Sequence, residues 1–399
     1  MRTHSVLLLA GILLSACTGG GDSAALDYQK IDGACTRPEV CEMLERIEAS
    51  IAANSVVVVP TVKLVSQLGA DIHGDKQDLE LRLTHSKVLA PDAFFEINGL
   101  PAEKPFMRAY EGHVEGMPSN IAHVLVSEDF IRGAVRMGDD MNLIRIAMKG
   151  NRPLDMPRRP PAPEPAPSKK PPASPQPSEC PSDMFLNAAE VRAVPPYMSP
   201  MHSVGPAAKP LLKSRVILDA DYKAVQLWGE RHLPAMMVGM MMEMDLTYRY
   251  EVGVRHTIVG VHINKIPSFY QDTTPSDPFT EMARWWDRHH AAERDVVHLY
   301  SGYDTGYAQA NCIGSIGTTA GYSFSPIPWE EQNVWFHQNV LAHKLGHLYS
   351  AHHHYGNHAE SYLATIMIQG YTPGEQPQFG SIERTVIRGW AEEYLQPWQ

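Results

Sequence analysis

The sequence predicts two folded parts, a mostly β domain and then an α/β (α+β) domain that carries a histidine-bearing helix. Three observations predict this. A proline-rich stretch divides the 399 residues near the middle. Before it, apolar residues alternate with period two; after it, short apolar runs alternate with helical patterns. The resulting division is residues 1–16, 17–25, 26–150, 151–182 and 183–399.

Residues 1–16 read as an export signal. Arg2 supplies a positive charge, and the apolar run 6–14 is too short to span a bilayer. It ends in Leu14-Ser15-Ala16-Cys17, followed by a glycine tether through residue 25. That string is similar to the bacterial lipobox, which implies cleavage before Cys17 and lipidation of its thiol; an ordinary secretory signal with a chance cysteine is the alternative. The lipobox reading makes the protein membrane-anchored without spanning. It places the chain in the bacterial cell envelope, at the outer membrane because no aspartate follows Cys17.

Residues 26–150 open with a helical pattern over 40–53, whose apolar positions recur at three and four. Residues 79–83, 94–97, 107–114, 122–126, 131–137 and 142–146 then alternate as short strands with Gly, Asn or Asp between them. Residues 151–182 hold prolines in nearly every third position and form a semi-rigid spacer, with Arg158-Arg159 and Lys169-Lys170 as nicking sites. In the second part, residues 216–221, 257–263 and 295–302 read as strands. Residues 222–250 read as one or two helices broken near Pro234, and 278–293 as a further helix. The methionines at 236, 237, 240, 241, 242 and 244 read as core filler rather than a copper or haem site.

A net charge of −11 and pI of about 5.9 argue against a nucleic-acid partner. Of five cysteines, Cys17 is the lipidation candidate. Cys35 and Cys41, close together at a helix start, are a candidate local bridge, and Cys180 and Cys312 remain. A serine hydrolase is disfavoured, since Ile313-Gly-Ser-Ile-Gly does not make the G-x-S-x-G elbow.

The chemistry concentrates in His343-Lys-Leu-Gly-His347-Leu-Tyr-Ser-Ala-His352-His353-His354. Histidines four apart share a helix face, and a third after a turn can complete a three-nitrogen site with one open position. This segment resembles the metzincin signature H-E-x-x-H-x-x-G-x-x-H, and Ala364-Thr-Ile-Met367-Ile resembles the Met-turn of that family. Residues 110–135 resemble the propeptide of reprolysin-type, adamalysin-like metalloproteases, and residues 214–395 resemble their catalytic domain.

The resemblance implies a twisted mixed sheet with an active-site helix, and a mostly β propeptide-like domain in front. It implies one catalytic Zn2+ on His343, His347 and His353, with His352 and His354 flanking the third ligand, and Met367 beneath the metal. The activity it implies is hydrolysis of protein or peptide substrates by a zinc-activated water. Residues 314–324 would be the edge strand that pairs with substrate, and residues 369–379 would wall the specificity pocket. Cys180 would hold the zymogen latent as a zinc-bound thiolate, or else pair with Cys312. Cutting the spacer would release a soluble catalytic domain, unless a disulfide holds it.

Two positions depart from the family pattern. Ser350 stands where the family has glycine, at a cost of about 1–2 kcal/mol if that residue is left-handed. Lys344 stands where the family has its general-base glutamate. A protonated lysine has no lone pair to accept a proton, which predicts weak or absent activity. The alternative is a catalytically dead zinc-binding pseudopeptidase that binds peptide as a lipoprotein.

Overall fold

The computed structural model describes residues 35–63, 76–138, 140–149, 152–153, 210–267, 278–289, 293–303, 308–326, 334–353, 365–367 and 378–398. The export signal, Cys17, the spacer apart from Arg152–Pro153, Cys180, His354 and most of the pocket wall at 369–379 lie outside them.

Helix α1 (Pro38–Ala52) begins with proline in its first turn, where the missing N–H costs nothing, and Cys35 and Cys41 form a disulfide across its start. Its buried Glu48 accepts from Arg108 Nη1 and Tyr110 Oη, both at 2.6 Å. The helix packs against strands β1 (Val57–Lys63) and β2 (Lys76–His85). Strand β3 (Leu89–Ile97) comes next, followed by β4 (Met107–Val114), β5 (Met117–Ser127), β6 (Ile131–Met137) and β7 (Asp140–Ile146). Strands β1, β2, β4, β5, β6 and β7 close an antiparallel barrel, with β1 returning to β7 through Val62 opposite Leu143.

β3 is not part of that barrel. The sequence places residues 94–97 among the strands of the β-rich part, but the structure pairs β3 with a strand from beyond the spacer. The second sheet contains β8 (Leu212–Ala220), β9 (Val254–Ile263), β10 (Val296–Ser301) and β11 (Tyr322–Pro326). Its order is Gln309–Ala310, β11, β10, β8, β9, β3 and Leu100–Pro101. The five longer strands run parallel, and Gln309–Ala310 is antiparallel to β11. Every residue of β10 is buried, as a parallel strand covered on both faces requires. The described residues from Cys35 to Trp398 fall in one compact unit.

Helix α2 (Tyr222–Glu251) starts at Asp221, whose carboxylate accepts from the Ala224 N–H at 2.8 Å. The sequence puts its break near Pro234. The structure breaks it at Gly229, with φ 71° and ψ 146°, an arrangement that favours glycine. Pro234, five residues further on, stays inside the resumed helix, where its ring leaves the Glu230 carbonyl without the usual N–H donor and yet does not break the helix. Residues 233–248 are buried all round, the six methionines included.

Helix α3 (Pro278–His289) packs on the sheet through Phe279, Met282 and Trp286 against Ile217, Val297, Leu299, Tyr322 and Phe324. The Trp286 indole N–H donates to Asp219 at 2.6 Å, so its buried polar atom is satisfied. Helix α4 (Val334–Leu348) bears the first two histidines, and α5 (Ser381–Tyr394) follows the Met367 segment.

Candidate metal centre

Helix α4 is fixed from behind before its histidines are considered. Tyr248 of α2 donates its hydroxyl to the Ala342 carbonyl at 2.8 Å. The helix ends in a Schellman turn, in which Ser350 N–H donates to His347 O at 2.9 Å and Ala351 N–H to Gly346 O at 2.9 Å. Ser350 takes the left-handed position with φ 71°, and its buried hydroxyl has no hydrogen-bond partner among the described residues. That turn reverses the chain within five residues and brings His353 back over the helix.

The three imidazoles converge. His347 Nε2 lies 3.0 Å from His343 Nε2 and 3.1 Å from His353 Nε2, and His353 Nε2 lies 3.1 Å from His343 Nε2. The other ring nitrogens of the helical pair face backbone carbonyls: His343 Nδ1 lies 2.6 Å from Ile366 O, and His347 Nδ1 2.7 Å from Ala351 O. A carbonyl only accepts, so each Nδ1 carries the proton and each Nε2 of that pair is a lone pair. Lone pairs facing one another at 3 Å repel, and a cation between them would relieve that repulsion.

Tetrahedral zinc with bonds of 2.0–2.1 Å separates its nitrogens by about 3.3 Å, close to these distances. The donor set therefore fits a divalent ion, and the three ligating atoms form a group able to hold one. Burial lowers the pKa of all three histidines, with the Lys344 charge adding to the effect. His343 falls to about 3, and His347 and His353 shift the same way. Neutral imidazole is the form that ligates.

Met367 is fully buried under this site. A Cβ on Gly346 would stand 2.5 Å from its sulfur, so the glycine between the two helical histidines admits the thioether. Thr365 orders the segment by donating to Glu383 at 2.8 Å and accepting from Met367 N–H at 3.2 Å. Ile366 N–H donates to Gln378 O at 2.9 Å, and Phe379 N–H to Glu251 at 2.7 Å. Glu251, Glu383 and the Ile366 carbonyl thus support the ligands. Sequence reasoning missed them because nothing in the sequence pattern marks a residue far along the chain as a support.

Lys344 sits beside the ligands, partly buried, and burial lowers its pKa to about 8. At pH 7 it remains mostly an ammonium.

The structure corrects the reading of the glycine-rich segment. The sequence predicts an edge strand over residues 314–324, but only β11, beginning at Tyr322, is extended. Residues 314–321 form turns, with Gly314 at φ 77° and Gly317 at φ 71°. Gly314 N–H donates to His347 O at 2.8 Å and Ile316 N–H to Leu348 O at 3.0 Å. These turns therefore satisfy the last carbonyls of α4, which have no partner within the helix. Cys312, just before them, is buried and disulfide-bonded. The positions of Cys180 and Cys17 are outside the described residues.

No protein-family model matches the sequence, and no curated protein does. Among solved structures, metalloproteinase-II from Bacteroides fragilis aligns over 79% of this chain and 88% of its own, at 12% identity and a TM-score of 0.38. A chaperone–substrate complex aligns over 46% of this chain and 38% of its own, at 14% identity and a TM-score of 0.33. At these identities and TM-scores neither likeness shows a family or an activity.

Proposed function

We propose that this protein is a metzincin-type, reprolysin-like zinc endopeptidase by descent, made as a lipid-anchored precursor, and that the chain as it stands is weakly active or inactive. The observation that carries the reading is the convergence of three Nε2 atoms at 3.0–3.1 Å with two Nδ1 atoms held by backbone carbonyls. His343, His347 and His353 would hold the ion. A zinc ion held by these three imidazoles would supply Lewis acidity toward a scissile carbonyl and toward a water molecule.

The protein's own residues do the rest. The Ile366 and Ala351 carbonyls hold the two helical histidines as Nδ1–H tautomers, which keeps their lone pairs on the open side. Peptide hydrolysis then needs a base that takes a proton from water and returns it to the leaving amine. Lys344 occupies the helix position where a carboxylate would do so, and its ammonium has nothing to accept with. General acid–base transfer is worth roughly 10²–10⁴-fold in rate, so activity should fall by about that much.

A second reading has a specific observation behind it, namely that same ammonium: the site holds metal and peptide and does not cut. The deciding experiment is Lys344→Glu, with zinc content measured by elemental analysis and cleavage followed on casein and a quenched-fluorescent peptide library. The peptidase reading expects a rise of at least about 10²-fold. A zinc-loaded Lys344→Glu protein that cuts none of these substrates would sink it.

A further inference from the structure

The α/β part of the chain presents two surfaces, and both are filled by residues from before the spacer. The first is the outer edge of β9. There β3 adds in parallel, with Gly260 opposite Phe94 and Ile263 opposite Ile97. Flanking bonds extend the pairing: Ile258 N–H donates to Val88 O at 2.6 Å, and Asn98 N–H to Ile263 O at 2.9 Å. Without β3, a ten-residue, almost wholly buried strand would present an unpaired edge.

The second surface is the barrel-facing side of α2. Arg132 reaches Glu243 with two bonds, at 3.0 and 2.8 Å, and Arg145 adds a third at 3.0 Å. Arg136 bonds Glu251 at 2.7 Å, with both side chains at most 5% exposed. The polarity also runs the other way, since Glu111 of the barrel accepts from Arg249 at 3.0 Å and lies 2.7 Å from Arg255. Breaking such pairs strands buried charges.

Two glycines fit this partner closely. A Cβ on Gly239 would meet Arg132 Cδ at 2.2 Å, and one on Gly260 would meet the Phe94 ring at 2.2 Å. In both cases the missing side chain makes room for an N-terminal residue.

We infer that residues 35–153 are a permanent half of the folded unit, so that cutting the spacer yields a two-chain complex and not a free α/β domain. The partner these surfaces fit is the chain's own N-terminal segment. The inference does not depend on the metal site.

The test uses the full chain with a specific protease site substituted at residues 165–171. The cut protein is run on gel filtration in reducing buffer, so that no disulfide can link the halves. The expected result is co-elution of both fragments at the mass of one intact chain, with separation only in denaturant. Fragments that elute apart under native conditions overturn the inference. The contact surfaces are tested by Gly239→Ala and Gly260→Ala in the same cut protein, each expected to weaken association by at least about tenfold. Alanine favours helix over glycine, so a loss at Gly239 does not arise within α2. Unchanged association in both variants refutes these surfaces. If the variants do not fold, amide exchange of residues 254–263 in the cut wild-type protein decides: retained protection supports the assembly and lost protection refutes it.

Discussion

Glu243→Leu tests the energetics that hold the barrel to α2. The carboxylate is fully buried and takes hydrogen bonds from Arg132 and Arg145, whose side chains are 2% and 5% exposed. Burial pushes the Glu243 pKa up, but the two guanidiniums outweigh it and hold the group below the ordinary carboxylate range. Removing it takes their shared carboxylate from two buried guanidiniums, at a cost of about 3–5 kcal/mol for breaking a buried pair. The added apolar side chain recovers little, because its neighbours are the stranded charges. Urea unfolding at pH 7 should show a lower midpoint with an unchanged slope. The control is Arg132→Met with Glu243→Leu and Arg145→Leu together, which replaces the whole network by apolar volume and should recover most of the loss. A single-variant cost below about 1 kcal/mol, or a triple variant no more stable than the single, would refute the reasoning.

Three other outcomes are expected. Ser350→Gly removes both a left-handed side chain and a buried unpaired hydroxyl, so the urea midpoint should rise, by about 1–2 kcal/mol after the entropy cost of glycine. Zinc should raise the melting temperature of chelator-stripped protein, by about 4 kcal/mol of stability at a thousandfold excess over Kd, and His347→Ala should abolish the rise. Acid should destabilise the fold through two buried histidines. Burial lowers His298, between Ser323 and Ser325, to about 3, and burial with the nearby Arg249 lowers His123 to about 4, against an ordinary 6.5. Because the unfolded chain then binds more protons, their contribution is intact above pH 6.5 and lost as pH falls toward 4, at roughly 1.4 kcal/mol per unit for each. The slope of urea midpoint against pH between 6.5 and 4.5 measures it, and His298→Gln should remove one share.

The site was legible because its spacing is local. Four residues on a helix and six across a turn are short enough for sequence to dictate that His343, His347 and His353 can meet. The left-handed turn at Ser350 was suggested by the glycine that the resembled family pattern has there, and not by spacing. Residues 314–321 were misread because glycine with β-formers suits a strand and a turn equally well. The deciding factor was the row of α4 carbonyls waiting for donors. The break in α2 was misplaced because proline is the stronger helix breaker in general. Here the helix carries Pro234 in its interior, and the break falls instead at Gly229, which holds a conformation that disfavours a side chain.

By itself, the sequence determined the periodicities, the mixed α/β character, the histidine spacing and the anomaly at Lys344, all properties of neighbours along the chain. Only tertiary structure decided that β3 crosses from the β-rich part to pair with β9. It alone decided that Arg132 and Arg145 meet Glu243, and that the Ile366 carbonyl faces the His343 ring whose other nitrogen meets His347 and His353. Those choices depend on which distant groups burial forces together. A buried strand edge or a buried charge is stable only beside its complement, and nothing in the local sequence says where along the chain that complement lies.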